Sequence, residues 1–360
     1  MSKAPEEIIR GEILGLPAYH VPDATGMVKL DAMENPYRLP AELQAEVVQA
    51  VADAALNRYP DPGAKRLKAQ LRIALEIPPG ADLLLGNGSD EIIQMLIMAA
   101  ARPGATVLGL EPSFVMFRMI AAWCGARFVG VPLNADYSLD ARQVLACVER
   151  DQPALIFIAF PNNPTGNLFD ADALHRIIRA APGMVVLDEA YHAFAGSSFM
   201  PHLATYSNLL VMRTLSKLGL AGLRLGMLAG PDAWVRHVDK VRLPYNVNVL
   251  TQVVAERVLM HRDVLARQAT AIKAERTRLL CEMQRIPGVE PYPSDANFIL
   301  FKASGAERVF DGLRRRSVLI KNLHGSHPAL AQCLRVTVGA PEENSRFLDC
   351  LKQAVSHDGD

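Results

Sequence analysis

The chain has 360 residues, half of them hydrophobic, and Lys plus Arg balance Asp plus Glu at 38 each. That length and apolarity support two domains or one large α/β unit around a sizeable core, and zero formal charge argues against nucleic acid or an anionic membrane as partner. Cys124, Cys147, Cys281, Cys333 and Cys350 are scattered without a C-x-x-C pair, which argues against zinc and a disulfide framework and points to reduced thiols in a cytoplasmic protein.

Residues 1–30 read as an irregular arm, and the opening residues carry no apolar segment of signal-peptide type. Leu43, Val47, Val48, Val51 and Ala55 follow Pro40 at helical spacing and predict a helix over 40–56. Arg58-Tyr59-Pro60-Asp61-Pro62-Gly63 breaks it, and a second helix is expected over 64–75. Short apolar runs then predict strands over 83–85, 106–110, 127–131, 155–160, 185–188, 209–213 and 226–229, with helical segments between most of them. The run 92–101 is apolar but too short to span a bilayer. This alternation predicts an α/β fold, a mostly parallel seven-stranded sheet covered on both faces. A long helix is expected over 248–283, broken near His261. Strands at 298–302, 318–321 and 334–338 and helices at 306–315 and 342–355 form a smaller α+β domain. The expected division is an arm with part of the small domain at 1–60, a large domain at 61–250 and a small domain at 251–360.

Four strings carry candidate chemistry. The first runs from Thr214 through Ser216 and Lys217 to Arg224, rich in Gly and Ala. Small residues let a planar partner approach the Lys217 amine, and Ser216 with Arg224 can hold a phosphate. The second is the apolar strand 185–188, which ends on Asp188; a carboxylate facing a pyridinium nitrogen is what a pyridoxal phosphate enzyme requires. The third, Gly86-Asn87-Gly88-Ser89-Asp90-Glu91, stands between a strand and a helix, where glycines and free N–H groups suit a phosphate. It is neither G-x-G-x-x-G nor a Walker loop, which disfavours a dinucleotide or ATP. Pro161-Asn162-Asn163-Pro164-Thr165-Gly166 follows another strand and places an Asn amide where a phenolate oxygen could accept from it. Taken singly, each has an ordinary reading: a solvated lysine, a turn aspartate, a Gly-rich N-cap, a tight Pro loop. Their conjunction is what points to a pyridoxal phosphate site.

The strings E-N-P, R-Y-P, G-N-G-S-D-E, N-N-P-T-G, D-E-A-Y, T-L-S-K-x-x-G-L-A-G-L-R-L-G and L-R-V-T-V-G occur in one order across residues 34–339. Together they resemble pyridoxal-phosphate-dependent aminotransferases of fold type I, most closely the histidinol-phosphate aminotransferases. The resemblance implies that Lys217 holds the cofactor covalently and shuttles a proton. It implies that Asp188 pairs with the pyridine nitrogen and that Asn163 and Tyr191 bond the phenolate oxygen. Gly88, Ser89, Asp90, Ser216 and Arg224 would hold the phosphate, and Phe114 would stack on the ring. Tyr59 would reach the cofactor phosphate of a neighbouring subunit, making a homodimer. Arg335, Tyr19 and Asn35 would contact substrate; Arg335 interrupts an otherwise apolar strand, which favours an inward cation with an anionic partner. The implied reaction passes an amino group between L-histidinol phosphate and 2-oxoglutarate. An aromatic amino acid aminotransferase and a threonine-phosphate decarboxylase are the alternatives. The family commonly has Tyr at Phe114, Asn at Met33 and Arg at Lys321, so these departures bear on substrate contacts. No metal is expected.

Overall fold

The computed structural model describes residues 3–16, 21–100, 102 and 104–356. Its strands are β1 (Val28–Lys29), β2 (Ala81–Asn87), β3 (Thr106–Glu111), β4 (Arg127–Pro132), β5 (Leu155–Ala159), β6 (Met184–Asp188) and β7 (Leu209–Thr214). They continue with β8 (Leu225–Pro231), β9 (Val289–Pro291), β10 (Phe298–Ala303), β11 (Val318–Leu319), β12 (Lys321–Asn322) and β13 (Cys333–Thr337). The helices are α1 (Pro5–Ile8), α2 (Gly11–Leu14), α3 (Ala41–Ala52), α4 (Lys65–Ala74), α5 (Gly88–Ala100), α6 (Met116–Trp123) and α7 (Ala141–Asp151). After them come α8 (Ala171–Ala180), α9 (Asp232–Val238), α10 (Val249–Leu259), α11 (Arg262–Met283), α12 (Ala306–Arg315) and α13 (Pro341–Ser356).

The large sheet has seven strands in the order β2-β8-β7-β6-β5-β3-β4. β3, β4, β5, β6 and β7 run parallel. β5, β6 and β7 are buried at every position, as strands covered on both faces must be. β8 is antiparallel to β7, and β2 is antiparallel to β8. Two reversals give β2 the same sense as β7. The C-terminal ends of β2, β3, β5, β6 and β7 therefore reach one sheet edge, where ligands of open α/β sheets bind.

A four-stranded antiparallel sheet, β12-β13-β10-β9, carries α11, α12 and α13. β1 pairs in parallel with β11, so the arm is structured where it crosses this unit. Leu30 and Met33 join the apolar cluster of Ile299, Val336 and Phe347. Met33 N–H donates to Thr337 Oγ1 at 2.9 Å, and Asn297 Nδ2 donates to the Met33 carbonyl at 3.0 Å. Leu43 of α3 and Ala255, Val258 and Leu259 of α10 sit instead in the core of the large sheet. The cores change within α11, where Leu265 belongs to the first and Ile272 to the second. We therefore propose the division between the units inside α11 rather than at 250–251. No helix among the described residues is long and apolar enough to cross a membrane.

Candidate active site

The converging strand ends enclose a cavity of about 550 Å³ lined by Ser89, Asp90, Phe114, Asn163, Asp188, Tyr191, Ser216, Lys217 and Arg224, with Met33, Ala159, Ala190 and Thr214. Nine residues expected at the site thus meet in one place. Lys217 stands on a wide π-turn, Ser216–Leu220, that follows β7. Its half-buried Nζ donates to the Ala32 carbonyl at 3.1 Å. Burial, with Arg335 adding like charge, lowers its pKa from 10.5 to about 8. A free amine is therefore accessible near neutral pH.

Asp188 ends β6 fully inside the protein. Burial raises its carboxyl to about 7, although the Ala190 N–H donates to Oδ1 at 3.1 Å. Among the described residues no cation stands within salt-bridge distance of it. The turn after it is fixed from behind by Glu189, which is wholly buried. Glu189 Oε2 accepts from Arg213 Nη2 at 2.8 Å and Nε at 3.0 Å, and Oε1 accepts from the Phe199 N–H at 2.6 Å. Tyr191, one turn on, packs edge-to-face on Phe298 at 5.1 Å, and burial pushes its phenol upward.

The opposite end of the cavity is built from α5 and the start of β8. Gly88 has φ +80°, and a Cβ there would stand 2.7 Å from Arg224 Nη2. Glycine lets the guanidinium cross the α5 N-terminus. Arg224 Nη2 lies 3.4 Å from Asp90 Oδ2, and Thr214 Oγ1 donates to Ser216 Oγ at 3.0 Å.

Pyridoxal phosphate fits this lining. Free N–H groups of the α5 first turn, two hydroxyls and a guanidinium suit its phosphate. A buried acid lacking a cation suits its pyridine nitrogen. Phe114 and Ala190 line the same cavity and offer apolar surface to the cofactor's ring.

Asn163 lines the cavity, while its neighbour Asn162 is structural. Asn162 accepts from Ser113 Oγ at 2.7 Å and donates to Thr165 Oγ1 at 2.7 Å and to the Pro112 carbonyl at 3.0 Å. Asn163 Oδ1 accepts from Arg335 Nη1, and Arg335 Nη2 donates to the Asp31 carbonyl at 3.1 Å. Arg335 is buried, with its guanidinium carbon 5.2 Å from the Phe298 ring centre. It faces a solvent-open groove of about 1530 Å³ that shares Met33, Phe114 and Asn163 with the cavity. Lys321 is its cross-strand partner and lines the same groove.

Two expected residues stand away from the cavity. Asn35 does not line the cavity: its amide donates to the Leu218 carbonyl and to Gln268 Oε1, both at 3.0 Å. A Cβ on Gly219, at φ +120°, would meet that amide at 2.9 Å, so Asn35 braces the Lys217 turn. Tyr59 is 79% exposed and stacks on Tyr245 at 4.3 Å, away from the cavity. Tyr19 lies outside the described residues. Conversely, Thr214 and the Ala32 and Asp31 carbonyls belong to the site and were not singled out; Thr214 stood inside the T-L-S-K string, but backbone acceptors leave no mark in a sequence.

The model of the family "Aminotransferase class I and II" matches residues 25–351. Histidinol-phosphate aminotransferase 1 of Ralstonia nicotianae is 56% identical over 353 residues, spanning 97% of this chain and 94% of that one. Histidinol-phosphate aminotransferase of Chromobacterium violaceum is 52% identical, spanning 97% and 98%. The crystal structure of histidinol-phosphate aminotransferase from Sinorhizobium meliloti in complex with pyridoxal-5'-phosphate matches with a TM-score of 0.86 at 25% identity, covering 96% of this chain and 97% of that one. L-threonine-O-3-phosphate decarboxylase from Porphyromonas gingivalis, at 19% identity and a TM-score of 0.77 over 91% and 99% of the two chains, shares the fold. With Lys217, Asp188 and Arg224 around one cavity and relatives of this similarity along nearly its whole length, the chain belongs to the class I and II aminotransferases, in the branch of the histidinol-phosphate aminotransferases.

Proposed function

We propose that the chain transfers the amino group between L-histidinol phosphate and 2-oxoglutarate, a step of histidine biosynthesis. The observation that carries the chemistry is Lys217 and Asp188 lining one cavity, with the amine lowered and the acid raised by burial. The substrate assignment rests on full-length relatives of that name at 50–56% identity. Pyridoxal phosphate, when bound, supplies an aldehyde for the substrate amine and a ring that draws electrons from the bond being broken. Asp188 keeps a proton at the pyridine nitrogen. Lys217 Nζ takes a proton from the substrate carbon and returns it at the neighbouring position. Asn163 and Tyr191 would bond the cofactor's phenolate oxygen, while Ser89, Asp90, Ser216 and Arg224 would hold its phosphate. Arg335 holds the substrate anion, carboxylate in one half-reaction and phosphate in the other, because its planar fork matches acceptor oxygens of both.

A half-reaction assay tests this reading. Mixed with the holoenzyme in single turnover, histidinol phosphate should bleach the cofactor absorption faster than tyrosine, phenylalanine or threonine phosphate. Faster reaction with an aromatic amino acid would move the assignment to an aromatic aminotransferase.

A homodimer and a cytoplasmic location belong to the same proposal. All five cysteines are unpaired. The exposed Tyr59–Tyr245 stack, with Leu243 and Leu56 also exposed, suits burial against a second copy. Mixing inactive Lys217→Ala subunits with Tyr59→Phe subunits should give heterodimers with one intact site, and activity above either parent variant. No gain after refolding the mixture would place Tyr59 outside its neighbour's site.

A further inference from the structure

The groove contains an acid that amino transfer itself does not use. Glu111 ends β3 and lines the groove beside Phe114, Asn163 and Arg335. Its Oε1 accepts from Arg118 Nε at 2.7 Å, and Arg118 Nη2 lies 2.5 Å away. Its Oε2 makes no hydrogen bond among the described residues.

One glycine makes room for it and a second for the ring beside it. Gly109 of β3 and Gly130 of β4 are register partners. A Cβ on Gly130 would stand 2.2 Å from Glu111 Oε2, and one on Gly109 would stand 2.8 Å from Phe128 Cζ. Neither glycine has a positive φ, so space rather than backbone conformation demands them. On this bare floor the carboxylate lies against β4. The Phe128 ring lies against β3, with the Arg118 guanidinium 4.7 Å above it.

The groove is therefore bipolar. Arg335 and Lys321 enter from the small sheet, and the carboxylate enters from the large one. Histidinol phosphate is bipolar in the same sense, with a phosphate and a ring N–H donor. Glutamate offers an anion at each end. We infer that Glu111 Oε2 accepts the imidazole N–H of the substrate, with Arg118 fixing the carboxylate, and that this contact selects imidazole substrates over side-chain carboxylates. The inference rests on the function proposed above and deepens it.

Rapid mixing of the holoenzyme with each amine tests it. Glu111→Gln should lower the ratio of the histidinol phosphate rate constant to the glutamate rate constant about tenfold, the scale of one charge-assisted hydrogen bond. The parent should also prefer histidinol phosphate to phenylalaninol phosphate, whose ring has no N–H, and Glu111→Gln should lose that preference. Gly130→Ala displaces the carboxylate without removing it and should lower the same ratio; it decides the matter if Glu111→Gln does not fold. An unchanged ratio in a folded variant overturns the role of Glu111. A parent inert toward histidinol phosphate overturns the proposed function, and the role of Glu111 with it.

Discussion

Lys217→Ala should reduce turnover by roughly 10⁴-fold or more, because it removes both the covalent attachment point and the proton carrier. The variant should still fold. Among the described residues Lys217 Nζ makes one hydrogen bond, to the Ala32 carbonyl, and its charged form is disfavoured by burial. The sign of the pH effect follows. A lysine at about 8 in the folded chain and 10.5 unfolded leaves the unfolded state with more protons between those values. The parent apoenzyme should therefore gain stability as pH rises from 8 to 10.5, and Lys217→Ala should lack that gain. Borohydride reduction of the parent holoenzyme, followed by peptide mapping, should label Lys217. The rival amine is Lys321, which lines the adjoining groove. A label on Lys321, or turnover of Lys217→Ala within tenfold of the parent, would refute the assignment.

Much of this fold was legible because its buried strands are short unbroken apolar runs. β5, β6 and β7 are buried on both faces, so a run of apolar residues without alternation marked each of them. β1 and β9 have two and three residues, too few for any period, and were not expected. The sense of β8 was also hidden: an apolar run reads the same in both directions. Its reversal nevertheless decides that Gly88 and Arg224 share an edge with Asp188. The strings around Lys217, Asp188 and Asn163 were legible as chemistry. Asn35 shows where such reading stops. Its string marked a site residue, but only the fold shows the amide braced against Leu218 and Gln268. The Glu111 ledge was equally hidden, since it depends on Gly130 of β4 lying beside β3.

Asp188→Asn should separate stability from catalysis. Asp188 is buried, and its carboxyl titrates near 7 rather than 3.8. The folded apoenzyme holds the proton over that window while the unfolded chain has released it, so stability from this group falls as pH rises from about 4 to about 7. At 1.36 kcal/mol per unit the cost above pH 7 is on the order of 4 kcal/mol. Asparagine keeps the shape and carries no charge. Apo Asp188→Asn should therefore unfold at a higher temperature than the parent at pH 8, with the difference vanishing near pH 4. Catalysis should move the other way, falling roughly a thousandfold, because a neutral amide cannot keep the proton at the pyridine nitrogen that the carbanionic transition state requires. Thermal melts of the apo forms across pH, set beside single-turnover rates of the holo forms, measure both. Turnover near that of the parent would remove Asp188 from the pyridine nitrogen. A variant apoenzyme less stable than the parent at pH 8 would show that its carboxylate is compensated inside the fold, leaving no unmet charge for a cofactor to satisfy.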